Sequence, residues 1–218
     1  MIRIVAKDLG MLEEILRKKG VQYRRIIEME NLFWVETKSG GVFQVPKPRK
    51  KEEVEEVLKK GFFPKAITRE VLFGERKQTE ALKKALKVKG KGIIQSGKAG
   101  VGKTYALITK IAMLLRYYRI NSPLYVPVQS LSIQQYREIY ADYDSYLIDD
   151  LNPNLSEWKM DFVRELIYHA YNEEKLLFIT TNAELETLFA FIKEEPVISR
   201  LLETCELQRI SETKDLRL

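Results

Sequence analysis

Eight consecutive residues have the types and spacing of a phosphate-binding loop. They fit the pattern G-x-x-x-x-G-K-T at every position. Glycines let successive backbone N–H groups turn inward around an anion, and a helix that begins beside them adds the positive end of its dipole. An apolar strand, GIIQS, precedes the loop and a helical pattern follows it, as this chemistry requires, so a chance glycine-rich turn is the weaker alternative. The residues expected to surround the phosphates are Gly97, Lys98, Ala99, Gly100, Val101, Gly102, Lys103 and Thr104.

Two side chains of this loop have specific roles in such chemistry. We expect Lys103 to reach the β- and γ-phosphates of a nucleotide and the Thr104 hydroxyl to bind Mg²⁺. About 45 residues further on, the apolar run Ser145–Ile148 ends in two carboxylates, Asp149 and Asp150. Asp149 is placed to hold Mg²⁺ through water, and Asp150 to polarise the attacking water. A helix cap or a turn is the alternative interpretation of this pair, because Asn-Pro follows.

A further strand-like run, LLFITTN, ends in Asn182. A short amide at the carboxyl end of a strand can hold the attacking water or contact the γ-phosphate. Thr180 and Thr181 are the alternatives for this role, and an ordinary turn residue is the structural interpretation.

Arg200 lies near the start of a predicted helix that follows Pro196. A guanidinium there could reach a neighbouring subunit's nucleotide, because its planar fork suits phosphate oxygens. A surface arginine on an amphipathic helix is the alternative.

From residue 92 onward, short apolar strands alternate with helical patterns. The five predicted strands are GIIQS, PLYVPV, SYLIDD, KLLFITTN and CELQRI, and the intervening helices include one over 132–143. This alternation predicts a three-layer α/β fold with a five-stranded parallel sheet. Parallel strands place their carboxyl ends at one edge of the sheet, where the polar side chains would meet.

The first 60 residues predict a small α+β module. A helix over 8–19 precedes three short strands, and a second helix covers about 50–60. Residues 61–76 are predicted as a linker and 77–218 as the larger domain, opened by a basic helix over about 77–89. Three aromatic residues, Phe33, Trp34 and Phe43, are expected in the core of the module. The alternative is an exposed aromatic face beside Arg24 and Arg25 that stacks nucleic-acid bases.

Composition excludes several classes of protein. The chain has 218 residues and a formal net charge of +6, with one histidine, His169, and one cysteine, Cys205. Internal disulfides, cysteine-based zinc sites and Ser-His-Asp triads are therefore excluded or very improbable. Since neither a signal peptide nor a membrane span is evident, the sequence predicts a cytosolic protein.

The charge is unevenly distributed along the chain. Residues 1–92 hold 23 basic and 13 acidic residues, a net +10, and the remainder carries −4. A basic front half favours an anionic partner, such as nucleic acid or an acidic protein face. A solvated Lys/Glu-rich surface is the alternative.

Four motifs in this order resemble one family. GKAGVGKT, YLIDDL, FITTN and ISRLLE, with Asp215-Leu216-Arg217 near the end, resemble the bacterial replicative helicase loaders of the DnaC/DnaI type. These are AAA+ ATPases, and the IstB-type transposition helpers are their relatives. The resemblance covers roughly residues 73–218. It implies Walker A at Gly97–Thr104, Walker B at Asp149 and Asp150, sensor 1 at Asn182 and an arginine finger at Arg200. It also implies an AAA+ domain without a C-terminal helical lid.

The resemblance implies a function as well. The expected activity is ATP- and Mg²⁺-dependent assembly and hydrolysis that loads a ring helicase on single-stranded DNA, with self-association through Arg200. The alternatives are an IstB-like helper ATPase on duplex DNA, a small-molecule P-loop kinase and a module that holds ATP without hydrolysing it. Two features depart from the loaders. The stretch Gln129–Asp144 is short, and residues 1–60 match no loader module, so the partner is the least constrained expectation.

Overall fold

A computed structural model describes residues 4–130 and 140–212. The first part of the chain forms a small α+β unit, as predicted. Its elements are helix α1 (Leu9–Lys18) and strands β1 (Tyr23–Glu28), β2 (Leu32–Thr37) and β3 (Val42–Pro46). Helix α2 (Lys51–Lys60) follows, and its buried Val54 and Leu58 belong to a core that lies against the second sheet. The three strands form an antiparallel sheet in the order β1-β2-β3.

The remaining described residues form an α/β unit built on a second sheet. Its elements are α3 (Lys65–Phe73), α4 (Glu80–Lys87), β4 (Gly92–Gly97), α5 (Lys103–Arg116), β5 (Pro123–Pro127), β6 (Ser145–Asp149), α6 (Glu157–Asn172), β7 (Leu176–Thr181), α7 (Leu185–Ile192), α8 (Glu195–Thr204) and β8 (Cys205–Ile210). The sheet has the order β5-β6-β7-β4-β8, and every pairing in it is parallel. The predicted five-stranded parallel sheet is confirmed.

Helices cover both faces of this sheet because its central strands are apolar on both sides. Ile94 and Ile148 pack into one cluster with α6, α7 and α8. Ile93 and Leu147 point the other way, into a cluster with α2 to α5. Side chains alternate between the faces of a strand, so an uninterrupted apolar run satisfies two cores at once. The result is the three-layer arrangement that positions the loop after β4.

The interval predicted as a linker contains a helix. Helix α3 lies within residues 61–76, and its Leu72 is buried in the same cluster as Val54 and Leu58 of α2. The linker assignment is therefore wrong for 65–73, because these residues pack against the larger unit. The division of the chain at residues 60 and 77 stays a prediction.

Other predicted elements differ in extent or lie outside the described residues. The basic helix expected over about 77–89 is the shorter α4. Most of the helix predicted over 132–143, and the motif at 215–217, fall outside the described ranges, and Tyr140–Asp142 form a single 3₁₀ turn. The absence of a C-terminal lid stays a prediction. Within residues 4–130 and 140–212, none of the helices combines the length and apolar character needed to cross a membrane.

Among the three aromatic residues expected in the small core, one is exposed. Phe33 is fully buried and Phe43 packs partly against the same cluster. Trp34 keeps 42% of its surface exposed, because its neighbours in β2 point inward and it points outward. The expectation of a buried Trp34 is wrong.

Candidate active site

The loop after β4 has the backbone geometry that an anion cradle needs. Gly100 and Gly102 adopt left-handed conformations with φ of 82° and 85°, which glycine tolerates without steric cost. Gly102 directly precedes α5, so the first N–H groups of that helix open onto the loop. Gly97 is required for a different reason, since a Cβ there would lie 2.6 Å from the Ile210 carbonyl oxygen.

Lys103 is buried at the centre of this loop, with 5% of its surface exposed. Its Nζ donates to the carbonyl oxygens of Gly97 and Lys98, each at 2.7 Å, and to Asn182 Oδ1 at 2.9 Å. These contacts fold the lysine back over its own loop. They also place its charge between the loop and the end of β7.

Asp149 accepts three hydroxyl hydrogen bonds from three different elements. Thr104 donates to its Oδ1 at 2.8 Å, Thr180 to the same oxygen at 2.6 Å, and Tyr125 to Oδ2 at 2.7 Å. The carboxylate is nearly buried, and these donors compensate for its lost hydration. The sequence predicts the pairing of Thr104 with Asp149, but not the part played by Tyr125.

Asp150 and Asn182 meet beside this carboxylate. Asp150 has a left-handed backbone with φ of 56°, uncommon for a residue other than glycine, and its N–H donates to Thr180 Oγ1 at 2.9 Å. Asn182 Nδ2 donates to Asp150 Oδ1 at 3.3 Å, while Asn182 Oδ1 accepts from Lys103. Asn182 therefore bridges the lysine and the second carboxylate. Thr180 and Thr181, the alternatives to Asn182, contact Asp149 and Asn152 instead.

The oxygen atoms here fit a magnesium ion. Thr104 Oγ1 and Asp149 Oδ1 lie 2.8 Å apart beside the loop, and both border the same cleft. Hydroxyl and carboxylate oxygens are the ligands that a hard divalent cation prefers. Thr104 and Asp149 are therefore the residues that would hold Mg²⁺.

The cleft extends beyond the predicted residues and has a volume of about 320 Å³. Ile67 and Glu70 of α3 line its far side, with Lys77 and Tyr105. Lys77 Nζ lies 2.6 Å from Glu70 Oε1, and its backbone N–H donates to the Tyr105 hydroxyl at 3.3 Å. The sequence analysis missed Ile67 and Glu70 because it interpreted 61–76 as a linker. The spacing of Ile67, Val71 and Leu72 was the signal that could have revealed the helix.

Arg200 does not join the cleft of its own chain. Its guanidinium lies over the rings of Tyr168 and Tyr171 of α6, at 4.4 Å and 5.1 Å from the ring centroids. Its Nη1 donates to the Pro196 carbonyl oxygen at 3.0 Å, and its Nε is buried without a hydrogen-bond partner among the described residues. Every residue predicted to bind Mg²⁺ or to act in catalysis lines this cleft except Arg200, whereas Val101 of the loop is buried in the core.

The lone histidine and the lone cysteine have structural surroundings. His169 Nε2 lies 2.8 Å from Lys175 Nζ, and its ring packs edge-on against Tyr140. Burial, followed by the Lys175 charge, lowers the pKa of His169. Burial raises the pKa of the Cys205 thiol to about 11. Neither residue lines the cleft.

Several solved structures share this fold. The crystal structure of the DnaC helicase loader is 20% identical with a TM-score of 0.55, and the match covers 68% of this chain and 100% of that chain. The fold is that of the AAA+ helicase loaders. The crystal structure of DnaI shares it at 20% identity and a TM-score of 0.52, over 69% of this chain and 95% of that one. The crystal structure of a protein described as a putative primosome component, from Streptococcus pyogenes serotype M3, shares it at 16% identity and a TM-score of 0.57, over 76% of this chain and 99% of that one.

No protein-family model matches the chain, and no curated protein matches it. The helicase-loader likeness therefore comes from structure, and it agrees with the resemblance predicted from the motifs. Between about a quarter and a third of the chain lies outside each match. At these identities the likeness establishes the helicase-loader fold, and the chemistry has to be argued from the cleft itself.

Proposed function

We propose that this protein is an ATPase of the helicase-loader type, which binds ATP with Mg²⁺ and hydrolyses it. The observation that carries the proposal is the convergence of Lys103, Thr104, Asp149, Asp150 and Asn182 at the carboxyl edge of the parallel sheet. These groups come from three separate segments of the chain. Their types match what phosphoryl transfer requires, namely a cation for the phosphates, oxygen ligands for a metal and a carboxylate for water.

The proposed roles follow from the contacts. Lys103 would exchange the carbonyl oxygens of Gly97 and Lys98 for phosphate oxygens, and the N–H groups of the loop and of α5 would bind the remaining oxygens. Thr104 and Asp149 would hold Mg²⁺, which neutralises phosphate charge when it is bound. Asp150 would accept a hydrogen bond from the attacking water. Asn182 would orient that water and the γ-phosphate, because it already contacts both Lys103 and Asp150.

The far side of the cleft suits a nucleoside. Ile67 contributes an aliphatic surface at the wall formed by α3 and the start of α5, and beside it lies the Tyr105 ring, which is 7% exposed and has the Lys77 Nζ 5.7 Å from its centroid. A purine base stacks favourably on surfaces of this kind. The base would then contact α3, so nucleotide binding would couple the cleft to the segment next to the small unit.

The proposed use of ATP is the assembly of a complex that loads a ring helicase on single-stranded DNA. The helicase-loader fold and the order of the four motifs support this. Arg200 would complete the cleft of a neighbouring copy, because it lies away from the cleft of its own chain. Turnover by isolated subunits would then be slow, since catalysis here consists of positioning and charge stabilisation.

Replacement of Lys103 tests the proposal. Lys103→Ala removes the cation that contacts the phosphates, and we expect phosphate release to fall on the order of 100-fold, with weaker binding of a fluorescent ATP analogue. Asp150→Asn should retain binding and lose hydrolysis. Lys83→Ala, a change at an exposed lysine of α4, serves as the matched control and should behave like the wild type.

Wild-type hydrolysis by Lys103→Ala would contradict the proposal. Tight ATP binding without phosphate release by the wild type, even with DNA present, would point to an ATP-holding module instead.

A further inference from the structure

The antiparallel sheet of the small unit has one buried and one open face. Phe33, Val35 and Val45 point into the core formed with α1. On the opposite face, Trp34 stands between Ile27 of β1 and Gln44 of β3, which are its direct cross-strand partners. Ile27 is 40% exposed and Trp34 42% exposed. The centre of the sheet therefore presents an indole ring to solvent, with an aliphatic neighbour on one side and an amide on the other.

Met29 and Val42 extend the same exposed region. They keep 51% and 55% of their surfaces exposed, at the end of β1 and the start of β3. Four large apolar side chains are thus open in one short segment of the chain. Such clustering marks a binding surface more often than scattered exposure does.

The charges around this face are unbalanced. Residues 21–50 contain six basic and three acidic residues, a net charge of +3. Each acidic residue is already paired with a cation: Glu28 with Lys47 at 2.8 Å, Glu30 with Lys50 at 2.9 Å, and Glu36 with Arg24 at 3.8 Å.

Three cations of this segment have no acidic partner among the described residues, and one of them, Arg49, donates instead to the Leu115 carbonyl oxygen at 2.9 Å. Arg25 and Lys38 make no ion pair among the described residues, and both are exposed. Arg25 precedes Ile27 by two positions in β1, so it projects from the same face as Trp34. The open face therefore combines a stacking surface with uncompensated positive charge.

We propose that this sheet face binds single-stranded nucleic acid, with a base stacked on Trp34 and a phosphate beside Arg25. A flat sheet displaying an aromatic ring suits unpaired bases, which expose their faces, whereas the bases of a duplex are stacked on each other. Gln44 offers both a donor and an acceptor to a base edge. The neutralised acidic residues remove the repulsion that a phosphate backbone would otherwise meet. The proposal goes beyond the function proposed above, because it assigns single-strand contact to a surface outside the ATP cleft.

Trp34 itself supplies the first measurement. The chain has two tryptophans, Trp34 and Trp158, so in a Trp158→Phe protein the indole fluorescence reports Trp34 alone. We expect a 20-nucleotide oligo-dT to quench this fluorescence at 50 mM NaCl, and the quenching to weaken at 300 mM NaCl because phosphate contacts release counterions. Parallel titrations with 20-nucleotide oligo-rU determine whether DNA or RNA binds more tightly.

Substitutions supply the second measurement, by fluorescence anisotropy of labelled oligo-dT. Trp34→Ala should weaken binding roughly 5- to 100-fold, the range expected for loss of one base stack. Arg25→Glu should weaken it and reduce its salt dependence. Trp158→Ala, which removes the other half-exposed tryptophan, is the matched control and should bind like the wild type. Trp34→Phe retains a ring and should preserve most of the affinity, which keeps the test valid if Trp34→Ala does not fold.

Several outcomes would overturn the proposal. Trp34→Ala could bind oligo-dT with wild-type affinity, or Trp34 fluorescence could stay unchanged when oligo-dT or oligo-rU is added. A 20-base-pair duplex could bind as tightly as the single strand. The protein could also fail to bind any oligonucleotide at 50 mM NaCl. The last of these would leave a protein partner as the occupant of this face. Two variants distinguish failure of this proposal from failure of the ATPase proposal. Trp34→Ala should release phosphate at the basal wild-type rate, and Lys103→Ala should bind oligo-dT like the wild type.

Discussion

The Asn182 side chain forms hydrogen bonds to two parts of the cleft, the loop after β4 and the end of β6. Its Oδ1 accepts from Lys103 of the loop, and its Nδ2 donates to Asp150 beyond β6. The backbone N–H of the same residue donates to Asn152 Oδ1 at 2.8 Å, which fixes the end of β7 against the segment after β6. A single amide thus contacts both Lys103, the cation proposed to bind the phosphates, and Asp150, the carboxylate proposed to polarise the attacking water.

Replacement of Asn182 should separate hydrolysis from binding. We expect Asn182→Ala to lower phosphate release on the order of 100-fold, because a preorganised donor beside the reacting water is lost. Nucleotide affinity should change less, since the loop and Lys103 remain. Steady-state phosphate release and binding of a fluorescent ATP analogue measure the two effects.

Thr181→Ser is the matched control. The Thr181 hydroxyl contacts Asn152 and takes no part in the hydrogen bonds that join Asn182 to Lys103 and Asp150. Asn182→Asp adds a like charge beside Asp150 and should be at least as impaired as Asn182→Ala. Hydrolysis within two-fold of the wild type in Asn182→Ala would show that this amide takes no part in the reaction.

What the sequence could predict of the site depended on where each residue stands along the chain. Asp149 and Asn182 are polar residues at the ends of apolar strands, and parallel strands gather such ends at one edge. Tyr125 lies inside an apolar strand, where its ring is indistinguishable from core until the structure shows its hydroxyl 2.7 Å from Asp149. A polar atom on an otherwise apolar side chain leaves no periodic signal.

At the scale of elements, the sequence analysis predicted the five parallel strands and missed helix α3. The strands are short, mostly apolar runs that alternate with helical patterns, whereas α3 is nine residues between Pro64 and Gly74. Both flanking residues are typical of loops. A helix this short is marginal alone and gains stability from burying residues such as Leu72 against neighbouring helices. Because that burial depends on the rest of the fold, the local sequence pattern did not indicate the stability of this helix.

The junction between α2 and the parallel sheet depends on Gly61. A Cβ at this position would lie 2.0 Å from the Pro123 carbonyl oxygen, and the Gly61 carbonyl oxygen accepts from the Tyr125 N–H at 2.8 Å. Gly61→Ala must therefore displace α2 from the edge strand β5. We expect a loss of about 1–3 kcal/mol in the free energy of unfolding, the range for overpacking.

Thermal unfolding followed by circular dichroism measures this change, which corresponds to a fall in melting temperature of about 2–12 °C for a chain of this length. Gly10→Ala is the control. Gly10 lies in α1, where a Cβ would make an ordinary van der Waals contact at 3.6 Å with Asp8 Oδ1. Alanine favours a helix over glycine, so the melting temperature of Gly10→Ala should stay level or rise. An unchanged melting temperature in Gly61→Ala would mean that the junction adjusts without cost.

At the scale of the whole molecule, the separation of Arg200 from the cleft is the feature that a single chain leaves unexplained. Tyr168 and Tyr171 hold its guanidinium from α6, and Tyr171 in turn donates to Glu203 at 3.1 Å. The motif order predicted a role for Arg200 in a neighbouring subunit, but a sequence does not encode how copies are arranged. The two tyrosines keep the guanidinium in a defined position, as a contact between copies would require.

Mixing two inactive variants tests this role. Arg200→Ala should lose phosphate release by about 1000-fold or to the detection limit, within the range attributed to arginine fingers. Its own Lys103 remains, so its cleft lacks only the neighbour's guanidinium. A Lys103→Ala subunit retains Arg200, and an equimolar mixture of the two variants should therefore recover phosphate release that neither shows alone.

Arg116→Ala, at an exposed arginine that ends α5, is the matched control and should hydrolyse ATP like the wild type. Normal activity in Arg200→Ala would remove the finger assignment. Loss of activity without recovery on mixing, together with a lower melting temperature, would instead place Arg200 in the packing of α6 against α8, where its stack on Tyr168 alone could account for the defect. Recovery on mixing cannot arise from that packing role, because each subunit folds with its own α6 and α8, and only exchange of side chains between copies restores a complete cleft.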